Sequence, residues 1–190
     1  YFVLPYTLGK YLSEDIRTPA ISTDHEEFEK AEKKTKDQVK RLLENNGNRS
    51  VESYHRELGK IVWDYCGMSR NKKELKSAIE EIKVIKNDFW NNVLVPGEDN
   101  VINPELTKAG RVADFIELGE LMMRDALARD ESCGGHFREE HQTGEGEAMR
   151  DDAKFAFTSA WEFNSENKDP ILNKEVLEFE NVQLTQRSYK

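Results

Sequence analysis

Cysteine is scarce in this chain. Cys66 and Cys133 are the two present, far apart and in no Cys-x-x-Cys pair. That argues against a disulfide framework and leaves free thiols in a reducing compartment as the plain expectation. Long apolar runs are missing too. Nothing approaches the roughly 18 residues that a membrane-spanning helix needs, so any membrane association is expected to run through another subunit. No Lys/Arg-rich block interleaves with aromatics and the net charge is −9, so no nucleic acid partner is expected. Tyr1–Leu12 lacks the basic start and unbroken apolar core of a signal peptide. An initiator Met is absent as well, and the chain opens inside the apolar stretch Tyr1-Phe2-Val3-Leu4-Pro5-Tyr6. The expectation is a fragment of a longer protein.

What is abundant is charge, at 34% of residues, as expected of long helices with solvated outer faces. Residues 1–12 suggest the tail of a helix packed on a missing neighbour, and Ile16–Ser22 an extended linker. Asp24 with Glu27 predicts a capping box opening a charged helix, with Phe28, Ala31, Thr35, Val39, Leu42 and Leu43 as a narrow stripe and Gly47 as its stop. Ser50 is an N-cap for a second helix, with Gly67 as a left-handed C-terminal cap. Asn71 with Glu74 predicts a third, running with Leu75, Ile79, Ile82, Ile85, Phe89 and Val93 inward until Pro96-Gly97. Asn103-Pro104 is the cleanest start signal, an N-cap followed by proline at the first helical position. The fourth helix carries two apolar stripes. Leu106, Ala109, Val112, Ala113, Ile116 and Met123 make one; Phe115, Leu118 and Met122 make the other. Such a helix is central in a bundle or clamped between a bundle and a second body. Beyond it, Phe155, Phe157, Ser159, Trp161 and Phe163 alternate as a strand would. Glu175–Arg187 alternates again with one slip of phase near Asn181, predicting an antiparallel ribbon with a bulge.

Between helix and ribbon lies the densest chemistry, Asp130–Asp152, with two histidines, a cysteine and four glycines. Cys133 beside His136 invites a nucleophile reading, but the thiol sits at a helix C-terminus, where the dipole opposes a thiolate. Cys133, His136 and His141 could ligate a metal, yet the run His-Phe-Arg-Glu-Glu-His misses the His-x-x-Glu-His spacing by one residue. Gly134-Gly135 precedes no helical start, which weakens a phosphate cradle. The remaining reading is a domain-interface loop. Gly134 and Gly135 allow a tight turn, and His136 is a buried hydrogen-bonding residue. Arg138 and Arg150 donate, while Glu131, Ser132, Asp151 and Asp152 complete the junction.

Those same residues carry a resemblance. Glu-Ser-Cys-Gly-Gly-His-Phe-Arg-Glu-Glu (131–140) and Glu-Ala-Met-Arg-Asp-Asp (147–152) resemble the succinate dehydrogenase/fumarate reductase flavoprotein subunit, and the related loops of L-aspartate oxidase. In the family's order follow Glu57–Arg70, with its run Trp63-Asp64-Tyr65-Cys66-Gly67-Met68-Ser69-Arg70, then Asn103-Pro104-Glu105-Leu106, Ala109–Asp114 and Asp125-Ala126-Leu127. Leu177–Lys190 is similar to the tail found with menaquinone-linked bacterial enzymes. The resemblance implies covalent FAD and succinate–fumarate interconversion by hydride transfer, with every catalytic and flavin-binding position upstream of this chain. It implies no catalytic, cofactor or metal residue here. It also implies a mainly α fold: a three-helix, spectrin-repeat-like bundle with a flanking helix and a C-terminal β-ribbon. The implied partners are the chain's own upstream FAD-binding and capping domains, an iron–sulfur subunit and, indirectly, a membrane anchor. The implied place is the cytoplasmic side of the bacterial inner membrane. Many relatives have Arg where Cys133 stands, and Arg138 is the candidate to supply its contact. The expected organisation is 1–22 as flavin-domain tail and linker, 23–150 as helical bundle with its loop, and 151–190 as ribbon. L-aspartate oxidase and a stand-alone helical interaction module are the alternatives.

Overall fold

The computed structural model describes residues 1–165 and 168–185. The chain divides into two compact units, Tyr1–Arg41 and Leu42–Lys190.

In the first unit, helix α1 (Val3–Ser13) buries none of its residues. Pro5 is accommodated because it lies in the first turn, where no intrahelical N–H bond is lost. A 3-10 turn, Asp15–Arg17, interrupts what the sequence suggested as extended linker. Helix α2 (Glu26–Glu44) begins one residue later than Asp24 as N-cap predicts, and the capping box does not form. Asp24 is turned back onto Ser22, whose hydroxyl it accepts at 3.0 Å, and His25 Nδ1 accepts the Glu27 N–H instead. Glu26, Glu27 and Glu29 still place negative charge where the helix dipole favours it. The narrow stripe is left open to solvent at Phe28, and the one residue that α2 buries, Leu42, belongs to the second unit.

The second unit is built on α3 (Val51–Tyr65), α4 (Lys72–Asn92) and α5 (Pro104–Ala128), which pack on one another. Each start is a cap that the sequence announces. Ser50, Asn71 and Asn103 accept the N–H groups of Ser53, Glu74 and Leu106. Tyr54, Leu75, Ile82, Phe89, Ile116 and Met123 fill the core with essentially no exposed surface. Burying side chains of this size contributes roughly 1.5–3 kcal/mol each. Tyr54 meets Phe89 edge-on at 5.3 Å and donates its hydroxyl to Asp88 at 2.8 Å. Arg49 stacks on the Tyr54 ring and bonds Asp88 and Glu57, tying the entry of α3 to α4.

Two ends differ from expectation. Gly67 does not adopt the left-handed conformation; α3 closes at Cys66, whose N–H reaches the Val62 carbonyl. Helix α4 stops at Asn92 rather than Pro96, because Val93–Leu94 (β3) pairs in parallel with Arg49–Ser50 (β1). Gly47 permits that pairing. A Cβ there would lie 1.9 Å from the Asn92 carbonyl oxygen, so close backbone approach is what requires glycine.

A second parallel pair joins Ser69–Arg70 (β2) to Phe137–Arg138 (β4). After the loop, Asp152–Phe155 forms a helical turn, α6, so Phe155 is not the first strand residue. The ribbon is Phe157–Glu162 (β5) against Ile171–Val176 (β6), antiparallel over six unbroken pairs with no bulge. The second strand thus lies earlier than the 175–187 alternation predicts. Ile171–Val176 uses up the partners that β5 offers, and Leu177, Phe179, Val182 and Leu184 follow outside the ladder with exposed side chains. Positions 186–187 of that alternation lie outside the described residues.

Candidate functional site

The segment from Arg129 to Asp152 is a polar clasp on the C-terminus of α5. A helix ends with carbonyls that lack intrahelical partners. Here Arg138 Nη1 donates to the Ala126 and Arg129 carbonyls at 3.1 and 3.4 Å, and His136 Nε2 meets the Arg129 carbonyl at 2.8 Å. Arg138 is fully buried and ion-paired to Asp130 and Glu140, each at 3.1 Å. Its Nη2 reaches Asp130 as a charge contact without hydrogen-bond alignment. Ser132 accepts the Arg138 N–H at 2.7 Å and donates to the Arg138 carbonyl at 3.1 Å, closing the loop on itself.

Glu131 is buried as well. It accepts from Arg129 Nε at 2.9 Å and from the Asp151 N–H at 2.8 Å, joining the two ends of the loop. Cys133 and His136 exchange backbone bonds around Gly134, whose φ of 59° is the left-handed turn that glycine permits. Gly135 is exposed and lacks that conformation. Arg150 directs Nε and Nη2 at one oxygen of Asp152, and its Nη1 at the Thr185 carbonyl. Asp151 pairs with Lys154 at 2.7 Å.

The clasp reaches across the molecule through β2 and β4. Arg70 Nη1 lies 2.9 Å from His136 Nδ1, while its Nε holds the Gly67 carbonyl. Guanidinium offers no acceptor, so Nδ1 is the bare nitrogen and Nε2 carries the proton. Burial, reinforced by the charges of Arg70, Arg138 and Arg129, pushes His136 below the ordinary histidine range despite its bond to the Arg129 carbonyl. Glu140 accepts the Lys72 N–H at the start of α4 at 2.6 Å. Burial opposes its ionisation, but that N–H and Arg138 hold the carboxyl below its usual range. Asp130 is lowered chiefly by its hydrogen bond to His141.

These contacts decide among the chemistries. Both His136 nitrogens are engaged, so the ring has no free nitrogen to act as base for Cys133. Burial raises the Cys66 thiol, away from nucleophilic use. Among the described residues no three His, Cys, Asp or Glu side chains converge as a metal site. Gly134-Gly135 leads into β4, not a helix N-terminus, and cannot form the strand–turn–helix cradle of a dinucleotide. The structure places Arg138, Ser132 and Glu131 in one network with Arg70, Arg129, Asp130 and Glu140, which the sequence reading does not single out. Arg70 stood in plain view in the Gly-Met-Ser-Arg run; nothing local tied it to residues near 136.

The profile of the family described as "Fumarate reductase flavoprotein C-term" matches residues 55–189, covering all three bundle helices nearly whole and the clasp. This chain belongs to that family. The flavoprotein subunit of fumarate reductase from Helicobacter pylori is 24% identical over 94% of the chain, which spans 24% of that relative. An uncharacterized FAD-dependent oxidoreductase of Methanocaldococcus jannaschii is 33% identical over 50% of the chain and 16% of its own length. Among solved structures, E. coli quinol fumarate reductase FrdA superposes with a TM-score of 0.74 at 20% identity, over 87% of this chain and 27% of that one. Adenylylsulfate reductase from Archaeoglobus fulgidus gives 0.66 at 16% identity, over 95% and 28%. The chain thus spans between 16% and 30% of the curated relatives it matches. The mainly α fold of this chain is shared with the matched part of these proteins. No helix among the described residues is long and apolar enough to cross a membrane.

Proposed function

We propose that this chain is the C-terminal helical domain of a succinate dehydrogenase or fumarate reductase flavoprotein subunit. The whole subunit would interconvert succinate and fumarate through FAD, covalently held by upstream domains, and pass electrons to an iron–sulfur subunit and on to quinone. A membrane anchor would hold the complex at the cytoplasmic face of the bacterial inner membrane. The match over residues 55–189 carries the proposal. The fold does not choose the substrate, because adenylylsulfate reductase has it too; the relatives matched across most of the chain favour fumarate and succinate.

Within that subunit the domain supplies no reacting group. FAD supplies the hydride chemistry. The bundle gives a rigid body, and the clasp around Glu131, Ser132, Arg138 and His136 fixes the shape of the loop. Its outward parts, Gly134, Gly135, Arg150, Asp151 and Asp152, are what the loop can present to a neighbouring domain.

Full-length protein assayed with succinate, fumarate and aspartate tests the proposal. Succinate oxidation or fumarate reduction with flavin absorbance is expected. Turnover of aspartate alone would assign the chain to L-aspartate oxidase, and absence of flavin would leave a helical interaction module.

A further inference from the structure

His136 stands among like charges. Three guanidinium groups from three elements act on its ring: Arg70 of β2, Arg138 of β4 and Arg129 at the close of α5. Arg70 touches it directly, with Nη1 2.9 Å from Nδ1, while Nε2 donates to the Arg129 carbonyl at 2.8 Å. Two of these cations are balanced. Arg138 pairs with Asp130 and Glu140, and Arg129 pairs with Glu131. Arg70 instead directs Nε at the neutral Gly67 carbonyl. Its contact with His136 is a cation on a bare nitrogen, and it lasts only while that nitrogen has no proton. A proton on Nδ1 would turn an acceptor into a donor and set two cations face to face. The contact also lies where the loop joins the bundle. Ser69–Arg70 pairs with Phe137–Arg138 over two residues, and the Glu139 N–H reaches the Arg70 carbonyl at 2.9 Å. Glu139 also accepts from Ser69 Oγ and Asn71 Nδ2, and Glu140 accepts the Lys72 N–H, but these bonds are exposed. The bundle core has no such dependence, since Leu75, Ile82, Ile85, Phe89, Ile116 and Met123 carry no titratable group.

We propose that His136 is a proton-operated latch: with Nδ1 bare it holds Arg70 and the loop on the bundle, and a proton there ejects Arg70 and opens the β2–β4 junction while the bundle stays folded. The step is a proton transfer from solvent to Nδ1, with no bond between heavy atoms made or broken. It goes beyond the proposed function, because it makes the shape of the loop conditional on pH whatever the loop faces. Burial and the three cations hold the closed imidazole below the ordinary histidine range, so the open junction is the state that takes up the proton. The sign follows. The junction is firm above about pH 6.5, the ordinary histidine value, and loosens as pH falls toward the lowered one. One proton bound on opening makes the open fraction rise about tenfold per pH unit in that window. His141, the other histidine of the loop, lies 2.9 Å from Asp130, so a proton on it adds an opposite-charge pair and tightens the loop.

Hydrogen exchange of the full-length protein, read by mass spectrometry between about pH 7.5 and 5.5, tests the latch. Rates are first corrected for the intrinsic exchange at each pH. Protection of the Glu139 amide and of the loop around it should fall about tenfold per pH unit below about pH 6.5. Amides of Ile82 and Ile85 in α4 should keep theirs. His136→Gln retains a donor for the Arg129 carbonyl and an acceptor for Arg70 but does not titrate, so its loop protection should stay flat. Arg70→Gln leaves the imidazole in place and removes the opposing charge, so the fall should shrink. A fall as steep as in the unsubstituted protein in either variant would overturn the proposal. So would a parallel loss at Ile82 and Ile85, which would make the event an unfolding of the bundle.

Discussion

The clasp and the α3/α5 face break the inside–outside rule in opposite directions. One buries Arg138, Glu131 and Ser132; the other leaves Trp63, Leu118 and Met122 in water. The difference teaches which region is complete. The buried side chains of the clasp are paired within this chain, Arg138 Nη2 alone among the described buried atoms making only a charge contact, so the clasp would hold its shape alone. The apolar face is exposed among the described residues of the second unit. Density of chemistry here marks a joint that is largely satisfied internally, whereas the bland face keeps its apolar side chains exposed.

The largest effect should come from Arg138→Ala. It removes two ion pairs and two carbonyl caps from a fully buried position. Losing one partner of a buried pair costs about 3–5 kcal/mol, with the low end expected because Asp130 and Glu140 are partly open to water. Urea denaturation of the chain measures it, and a loss below about 1 kcal/mol would show that the clasp is not self-supporting. Ser132→Ala should follow. Its hydroxyl makes two bonds to the Arg138 backbone, and leaving that N–H unsatisfied costs about 1–3 kcal/mol.

Next comes a pH effect with a defined sign. The folded pKa of His136 lies below the unfolded value of about 6.5. The unfolded chain therefore binds the proton first as pH falls. Stability from this site is complete above about pH 6.5 and drains as pH drops below it toward the folded pKa. Protonation of Nδ1 would also set it against Arg70. His136→Gln should flatten this decline between about pH 7 and 5, read as urea midpoints against pH. Asp130 and Glu140, lowered on folding, act in a separate window: their contribution holds above about pH 4 and is lost below it. An equal slope in both proteins above pH 5 would assign the acid sensitivity to other groups.

How much of this was legible depended on range. Ser50, Asn71 and Asn103 cap their helices through residues three positions on, and such local signals survive in sequence. So does the inward stripe of α4. Gly47 was visible as a stop but not for its reason, which is the Asn92 backbone across a parallel pair. The ribbon's second strand was misplaced because alternation at 177–184 is as good as at 171–176, and only pairing with β5 decides. In the clasp, β2–β4 pairing brings Arg70 beside Arg138, a meeting that neither segment announces.

The smallest expected effect sharpens the comparison most. Leu118→Lys in this chain alone replaces a side chain already 54% exposed. Surface changes of this kind usually stay within about 0.5 kcal/mol, so urea midpoints should barely move. An isolated measurement would class Leu118 as idle. The same substitution in the full-length subunit places an ammonium in an uncharged groove, and a buried unpaired charge is strongly unfavourable. A small effect alone and a large one in the intact subunit is the signature of a face completed from outside. Small effects in both settings would mean that the face is exposed in the finished protein. Large effects in both would mean that Leu118 supports the bundle itself, and that the apolar region is as self-contained as the clasp.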